Sequence, residues 1–125
     1  MEYTMRLNAV PFDKMKNGSK KIELRLYDEK RKRIKAGDTV LFINMKNPSE
    51  TLRTRVTDIY RFASFDALYR ALPIQDLGYS VDETASASPK DMDQFYSQEE
   101  QSRYGVVGFR LDLLPQDRYA GEAVH

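Results

Sequence analysis

The sequence predicts an α+β fold, a small mixed β-barrel of about five to six strands with short flanking helices. Three observations lead there. At least five short runs alternate apolar and polar residues at period two, the signature of half-buried strands. Long helices do not separate these runs regularly, so a parallel βαβ sheet is not expected. The chain has 125 residues, of which 41% are hydrophobic, enough for one core and too few for two ordinary ones. Residues 1–114 are read as a single domain and 115–125 as a polar C-terminal tail.

Tyr3, Met5 and Leu7 alternate with Glu2, Thr4 and Arg6 and form the first strand. Pro11 opens a short helix with Phe12 and Met15 on one face, and Gly18 ends it. In the strand from about Lys21 to Tyr27, Ile22, Leu24 and Leu26 alternate with Glu23, Arg25 and Tyr27, giving an apolar face and a charged face. The segment 28–35 holds Lys30, Arg31, Lys32, Arg33 and Lys35 and reads as a solvated connection able to meet phosphate. Gly37-Asp38 is a turn before the apolar strand Val40 to Met45, and Asn47-Pro48-Ser49-Glu50 is a second turn. Leu52, Thr54 and Val56 then alternate with Arg53, Arg55 and Thr57, so Thr39 to Ile59 forms a hairpin.

Ser64 caps a helix carrying Phe65, Leu68, Tyr69 and Leu72, which Pro73 stops. Tyr79 to Ser88 is polar and of low complexity, a mobile loop. Ser88-Pro89-Lys90-Asp91 is a capping box for a helix with Met92, Phe95 and Tyr96 on its core face, ended by Gly105. Val107, Phe109, Leu111 and Leu113 form the closing strand.

Composition narrows the chemistry. There is no Cys, which excludes disulfides and thiolate metal sites, and the single His is His125, the last residue. No metal site or cofactor is expected. No apolar run approaches the ~20 residues of a membrane span, and the N-terminal residues lack a signal-peptide core, so a cytoplasmic protein with no membrane partner is expected. No association motif appears, which points to a monomer. Net charge is +1, but residues 1–62 hold 15 Lys/Arg against 8 Asp/Glu, whereas residues 63–125 hold 5 against 11. The first half can therefore present a positive face to nucleic acid. Phosphate-binding loops, dinucleotide fingerprints and nucleophile elbows are absent.

The candidate site is the segment Gly18 to Arg25. Lys20 and Lys21 sit at a helix-to-strand junction, where a lysine can pair with phosphate or donate to a carbonyl. If partly buried, such a lysine becomes a base or a charge stabiliser. Glu23 can accept from an exocyclic amine of a base or activate water. Arg25 shares its face and can grip phosphate or the glutamate. Arg53 and Arg55, on one face of another strand, can extend a positive groove, and Tyr27, Tyr60 and Tyr104 can stack on bases.

Gly18-x-Lys20-x-x-Glu23-x-Arg25 resembles the signature of the ASCH domain family, which belongs to the PUA-like β-barrels. The Gly37-Asp38 turn and the ending Tyr104-Gly105-Val106-Val107-Gly108-Phe109 are similar to two further landmarks of that family. The resemblance spans roughly residues 3–114, nearly the whole chain. It implies a cleft lined by the signature Lys, Glu and Arg, and RNA as the partner, or a small enzyme acting on RNA or modified nucleosides. One branch of the family hydrolyses the amide of acylated cytidine. It has a lysine where this chain has Lys20, a threonine where it has Glu23, and a glutamate further along. Glu23 here follows the commoner pattern, without that threonine. Another branch is associated with ribonuclease activity.

Three functions therefore compete: an RNA-binding module using Lys20, Lys21, Glu23, Arg25, Arg53 and Arg55; a metal-independent hydrolase of RNA or a modified nucleoside using Lys20 and Glu23; and a protein-interaction or ligand-sensing domain. Binding that weakens steeply with salt marks the first. Turnover lost in Lys20→Ala marks the second. A partner indifferent to salt and to Lys20 marks the third.

Overall fold

Strand β1 (Glu2–Leu7) leads into helix α1 (Ala9–Lys16), strand β2 (Ile22–Leu26), the helical turn α2 (Glu29–Lys32) and strands β3 (Thr39–Asn44) and β4 (Thr51–Phe62). Helix α3 (Phe65–Ala71), three 3₁₀ turns, helix α4 (Gln98–Tyr104) and strand β5 (Val106–Leu113) follow among the described residues. These assignments come from a computed structural model that describes residues 1–116; most of the expected tail, His125 included, lies outside the described residues. The five strands form one mixed sheet in the order β1-β3-β4-β5-β2, curled into a half-barrel. β1 runs parallel to β3, and every other neighbouring pair is antiparallel. β1 and β2 are left as the two edges.

The period-two patterns explain the register. In the β3–β4 hairpin Val40 faces Thr54 and Phe42 faces Leu52, so the buried positions of both strands meet on one side. Thr54 is fully buried and donates its hydroxyl to Val40 O at 2.9 Å, which satisfies the polar group the core encloses. A register shift between Val56 and Asp58 lets β4 continue to Phe62 beside β5. Such a bulge bends and twists the strand that carries it.

The sheet packs on both faces. One cluster joins Met5, Leu7, Val40, Phe42, Leu52, Val56, Val107 and Phe109 to Phe12 and Met15 of α1. The other joins Ile22, Leu24, Leu26 and Val106 to Phe65, Leu68, Leu77 and Met92. β2 has the apolar face and the charged face that its alternation predicts, and both are enclosed. Across the β2–β5 ladder Glu23 faces Phe109 and Arg25 faces Val107, both members of the first cluster. The charged face of β2 is turned toward the core, and Glu23 is buried.

Other segments refine the expectations. Asp28 caps α2 through the Arg31 N–H, so the basic connection contains a helical turn. Within the segment expected as a mobile loop, Val81–Ser86 forms a 3₁₀ turn closed by a capping box between Ser80 and Glu83. The expected helix from Pro89 to Gly105 is two elements. A 3₁₀ turn, Pro89–Gln94, has the Ser88/Asp91 capping box, and Ser97 with Glu100 starts α4 afresh. The break turns Phe95 outward, where it is 52% exposed, whereas Met92 stays in the core. Among the described residues no helix is long and apolar enough to cross a membrane.

Candidate functional site

α1 and its exit position the first site residue. Pro11 falls in the first turn, where a missing N–H costs no helical bond. Gly18 takes φ of +87°, a conformation glycine adopts without a Cβ penalty. The amides of Ser19 and Lys20 then both donate to Lys14 O, and the chain turns directly into β2. Lys20 is buried, and its Nζ lies 2.8 Å from Ile22 O, 3.0 Å from Leu77 O and 3.2 Å from Glu23 Oε1. Three acceptors match the three N–H groups of one ammonium. Gly78 packs against the lysine stem and takes φ of +112°, a conformation that residues with a side chain rarely adopt.

Glu23 is the hub. Its Oε1 meets Lys20, and its Oε2 accepts from Arg25 Nε at 2.7 Å. Burial opposes the charge of Glu23, but Arg25 and then Lys20 outweigh it, so the carboxyl stays below the usual carboxylate range. Burial likewise opposes the charge on Arg25, and Glu23 more than compensates. Arg25 Nη2 donates to Arg6 O of β1 at 2.7 Å. One side chain thus spans the gap between the two edge strands of the half-barrel. Arg25 Nη1 makes no hydrogen bond to the described residues.

This triad forms the floor of a cavity of about 340 Å³. Aromatic side chains wall it: Tyr69 from α3, Tyr79 after Gly78, and Phe95 and Tyr96 at the helix break. Tyr96 stacks on Phe65, with ring centroids 6.2 Å apart and planes 18° apart. Tyr79 donates to Asp91 Oδ2 at 2.7 Å; its single proton is thereby used, so Tyr69 donates to Tyr79 across 2.8 Å. Burial raises the pKa of Tyr69, Tyr79 and Tyr96, so all three rings are neutral phenols at pH 7. Four cations, Arg6, Lys14, Lys20 and Arg25, line the cavity against two carboxylates, Glu23 and Glu83. The balance favours an anionic or electron-rich guest.

At the rim, Lys14 Nζ donates to Gly78 O at 2.7 Å and to Glu83 Oε1 at 2.9 Å. The Ser80 amide and then Lys14 hold the Glu83 carboxyl down at about 2. A folded pKa below the unfolded value contributes stability that is present above about 4.5 and lost as pH falls through about 2. A carboxyl-detected NMR titration is therefore expected to place Glu83 near 2. A midpoint near 4.5 would show that the ion pair and the cap do not hold it in solution.

The structure gathers three of the six site residues named from the sequence: Lys20, Glu23 and Arg25. Lys21 is exposed and does not line the cavity. Arg53 and Arg55 do not extend the groove. β5 lies between their strand and β2, and they sit on the face of β4 opposite Leu52, Thr54 and Val56, with Arg53 3.4 Å from Glu2. Tyr27 lies under Lys32 and Arg61, Tyr60 accepts from Arg110, and Tyr104 packs on the second core cluster, so the three expected stacking rings are elsewhere. The reading missed Lys14 and the rings of Tyr69, Tyr79, Phe95 and Tyr96. Tyr79 stands in a polar segment, whereas Phe95 and Tyr96 share the helical spacing of Met92, which marked them as core. Among the described residues no three His, Cys, Asp or Glu side chains gather as metal ligands would.

Comparison with known proteins identifies the family and the fold. The ASCH domain model matches residues 5–115, and the chain belongs to the ASCH domain family. A crystal structure of the hypothetical protein PH0355 is similar, with 34% identity, a TM-score of 0.75, and coverage of 91% of this chain and 100% of that one. The solution structure of protein PF0455 from Pyrococcus furiosus is 33% identical, with a TM-score of 0.62 and coverage of 93% and 100%. A mutant of ZmASCH from Zymomonas mobilis shares the fold at 11% identity, with a TM-score of 0.59 and coverage of 99% and 80%. A comparison with curated proteins finds no match.

Proposed function

We propose that this ASCH domain binds single-stranded RNA by taking one base into the aromatic cavity above the Lys20–Glu23–Arg25 triad. The observation that carries the reading is the pairing of that cavity, about 340 Å³ and walled by Tyr69, Tyr79, Phe95 and Tyr96, with a cationic floor. The volume is in the range of small-ligand pockets. Aromatic faces accept any base by stacking, and the free Nη1 of Arg25 can donate to a base edge. The triad acts as a fixed platform: Lys20 and Glu23 hold Arg25 in one orientation.

The hydrolase reading on Lys20 and Glu23 has less support. All three N–H groups of Lys20 and both oxygens of Glu23 already have partners, so neither group meets a substrate without first breaking a bond. The depressed pKa of Glu23 also makes it a weak base. The protein-interaction reading has no specific observation behind it.

Titration with fluorescent single-stranded RNA at low salt tests the proposal. Log affinity is expected to fall linearly with log salt, with a slope of about −0.7 for each phosphate contacted. Tyr96→Leu is expected to weaken binding by about 1–3 kcal/mol, the range for loss of one stacked base. Affinity too weak to measure at low salt, or unchanged by Tyr96→Leu, would rule the proposal out.

A further inference from the structure

The cavity does not end at Tyr79. A second chamber of about 290 Å³ adjoins it, and the wall they share includes Lys14, Gly78, Tyr79 and Phe95. The residues that line it alone are Val10, Asp91 and Gln94, and the Asp91 carboxylate is taken by the Tyr79 hydroxyl. Val10 is 66% exposed and Phe95 is 52% exposed. Among the described residues no element covers this apolar surface, and the Phe95 ring is of the kind on which a base stacks.

The two lysines that line both chambers are not equivalent. Lys20 has given all three N–H groups to protein oxygens. Lys14 has given two, to Gly78 O and Glu83 Oε1, and its third has no partner among the described residues. Of the two lysines, the one able to take a ligand oxygen is thus Lys14, which lies outside the Gly18-to-Arg25 segment and on the boundary between the chambers. A phosphodiester joining two nucleosides, one in each chamber, would meet it there. Resting on the RNA-binding reading above, we infer that the cleft takes two consecutive nucleotides of a strand, one base per chamber, with the phosphate between them on Lys14.

Calorimetric titration of the protein with the common ribonucleosides, their 3′-monophosphates and the dinucleoside monophosphates tests this. The 3′-phosphate is expected to tighten binding about tenfold or more, as a charge-assisted hydrogen bond does. That gain should vanish in Lys14→Gln and return in Lys14→Arg. The second nucleoside is expected to add about fivefold, and Val10→Glu, which changes a residue of the second chamber alone, should remove it. Nucleosides that bind as tightly as dinucleotides would overturn the second chamber and leave the single-base reading standing. A phosphate gain that survives Lys14→Gln would overturn the role of Lys14. Failure of every member of the series to bind would overturn both readings.

Discussion

Glu23→Ala is expected to lower the unfolding free energy by about 3–5 kcal/mol, because it leaves the buried Lys20 and the part-buried Arg25 without their counter-charge. Lys20 would keep two carbonyl acceptors and Arg25 would keep Arg6 O, but no negative charge would remain on the cavity floor. Against a typical domain stability of about 5–15 kcal/mol, the loss is a large fraction of the whole. Urea denaturation reads it as a drop in midpoint at unchanged slope. A change within about 0.5 kcal/mol, the size of an ordinary surface substitution, would show that the triad is solvated and not structural. The same measurement on Lys20→Met/Glu23→Leu/Arg25→Met separates stability from function. Removing all three charges is expected to restore much of the stability, since buried ion pairs are often no better than hydrocarbon, while RNA binding is lost. Acid should act like the alanine variant. The folded pKa of Glu23 is depressed, so its contribution is present above about 4.5 and is lost as pH falls through the folded value.

Phe109→Ala is expected to cost a further about 3–5 kcal/mol by itself, through lost transfer energy and the cavity left behind. Phe109 is 1% exposed and stands between Ile59 on β4 and Glu23 on β2 in the sheet register. The vacated space would adjoin the Glu23–Arg25 pair, so water would reach the pair from beneath. Amide exchange along β2, which pairs with β5, should accelerate more than along β3, which β4 separates from β5 in the sheet. Phe109→Leu, which keeps much of the hydrocarbon, should recover part of the loss. A Phe109→Ala protein within about 1.5 kcal/mol of the parent would mean that the sheet collapses onto the vacancy and that the ring does not support the site.

Most of the scaffold could be read from residue order because local physics dictates it. Alternation marked β1, β3, β4 and β5, Ser64 and Ser88 marked their caps, and Gly105 marked the entry to β5. Lys20, Glu23 and Arg25 were legible because they lie within one short segment. The errors came where tertiary packing decides. β2 alternates like a half-exposed strand, yet its charged residues face inward because the sheet curls over them. Arg53 and Arg55 read as neighbours of the site because sequence does not reveal that β5 inserts between β4 and β2. The cavity walls come from segments distant along the chain, and Phe95 followed the period of a helix that Ser97 interrupts. Lys14 looked like any helix-surface lysine, and only the position of Glu83 distinguishes it.

The strand order also governs when the site can exist during synthesis. β3 and β4 are joined by a short turn and can pair as soon as both have left the ribosome, and β1 already precedes them. β2, which carries Glu23 and Arg25, has no partner in the sheet except β5, and Ile22 must wait for Arg110. Pairing so remote along the chain closes late, after the loop entropy has been overcome. A nascent chain stopped before Val106 would hold every residue of the triad and of the cavity walls without a binding site. The cavity is completed in one step, with the last strand.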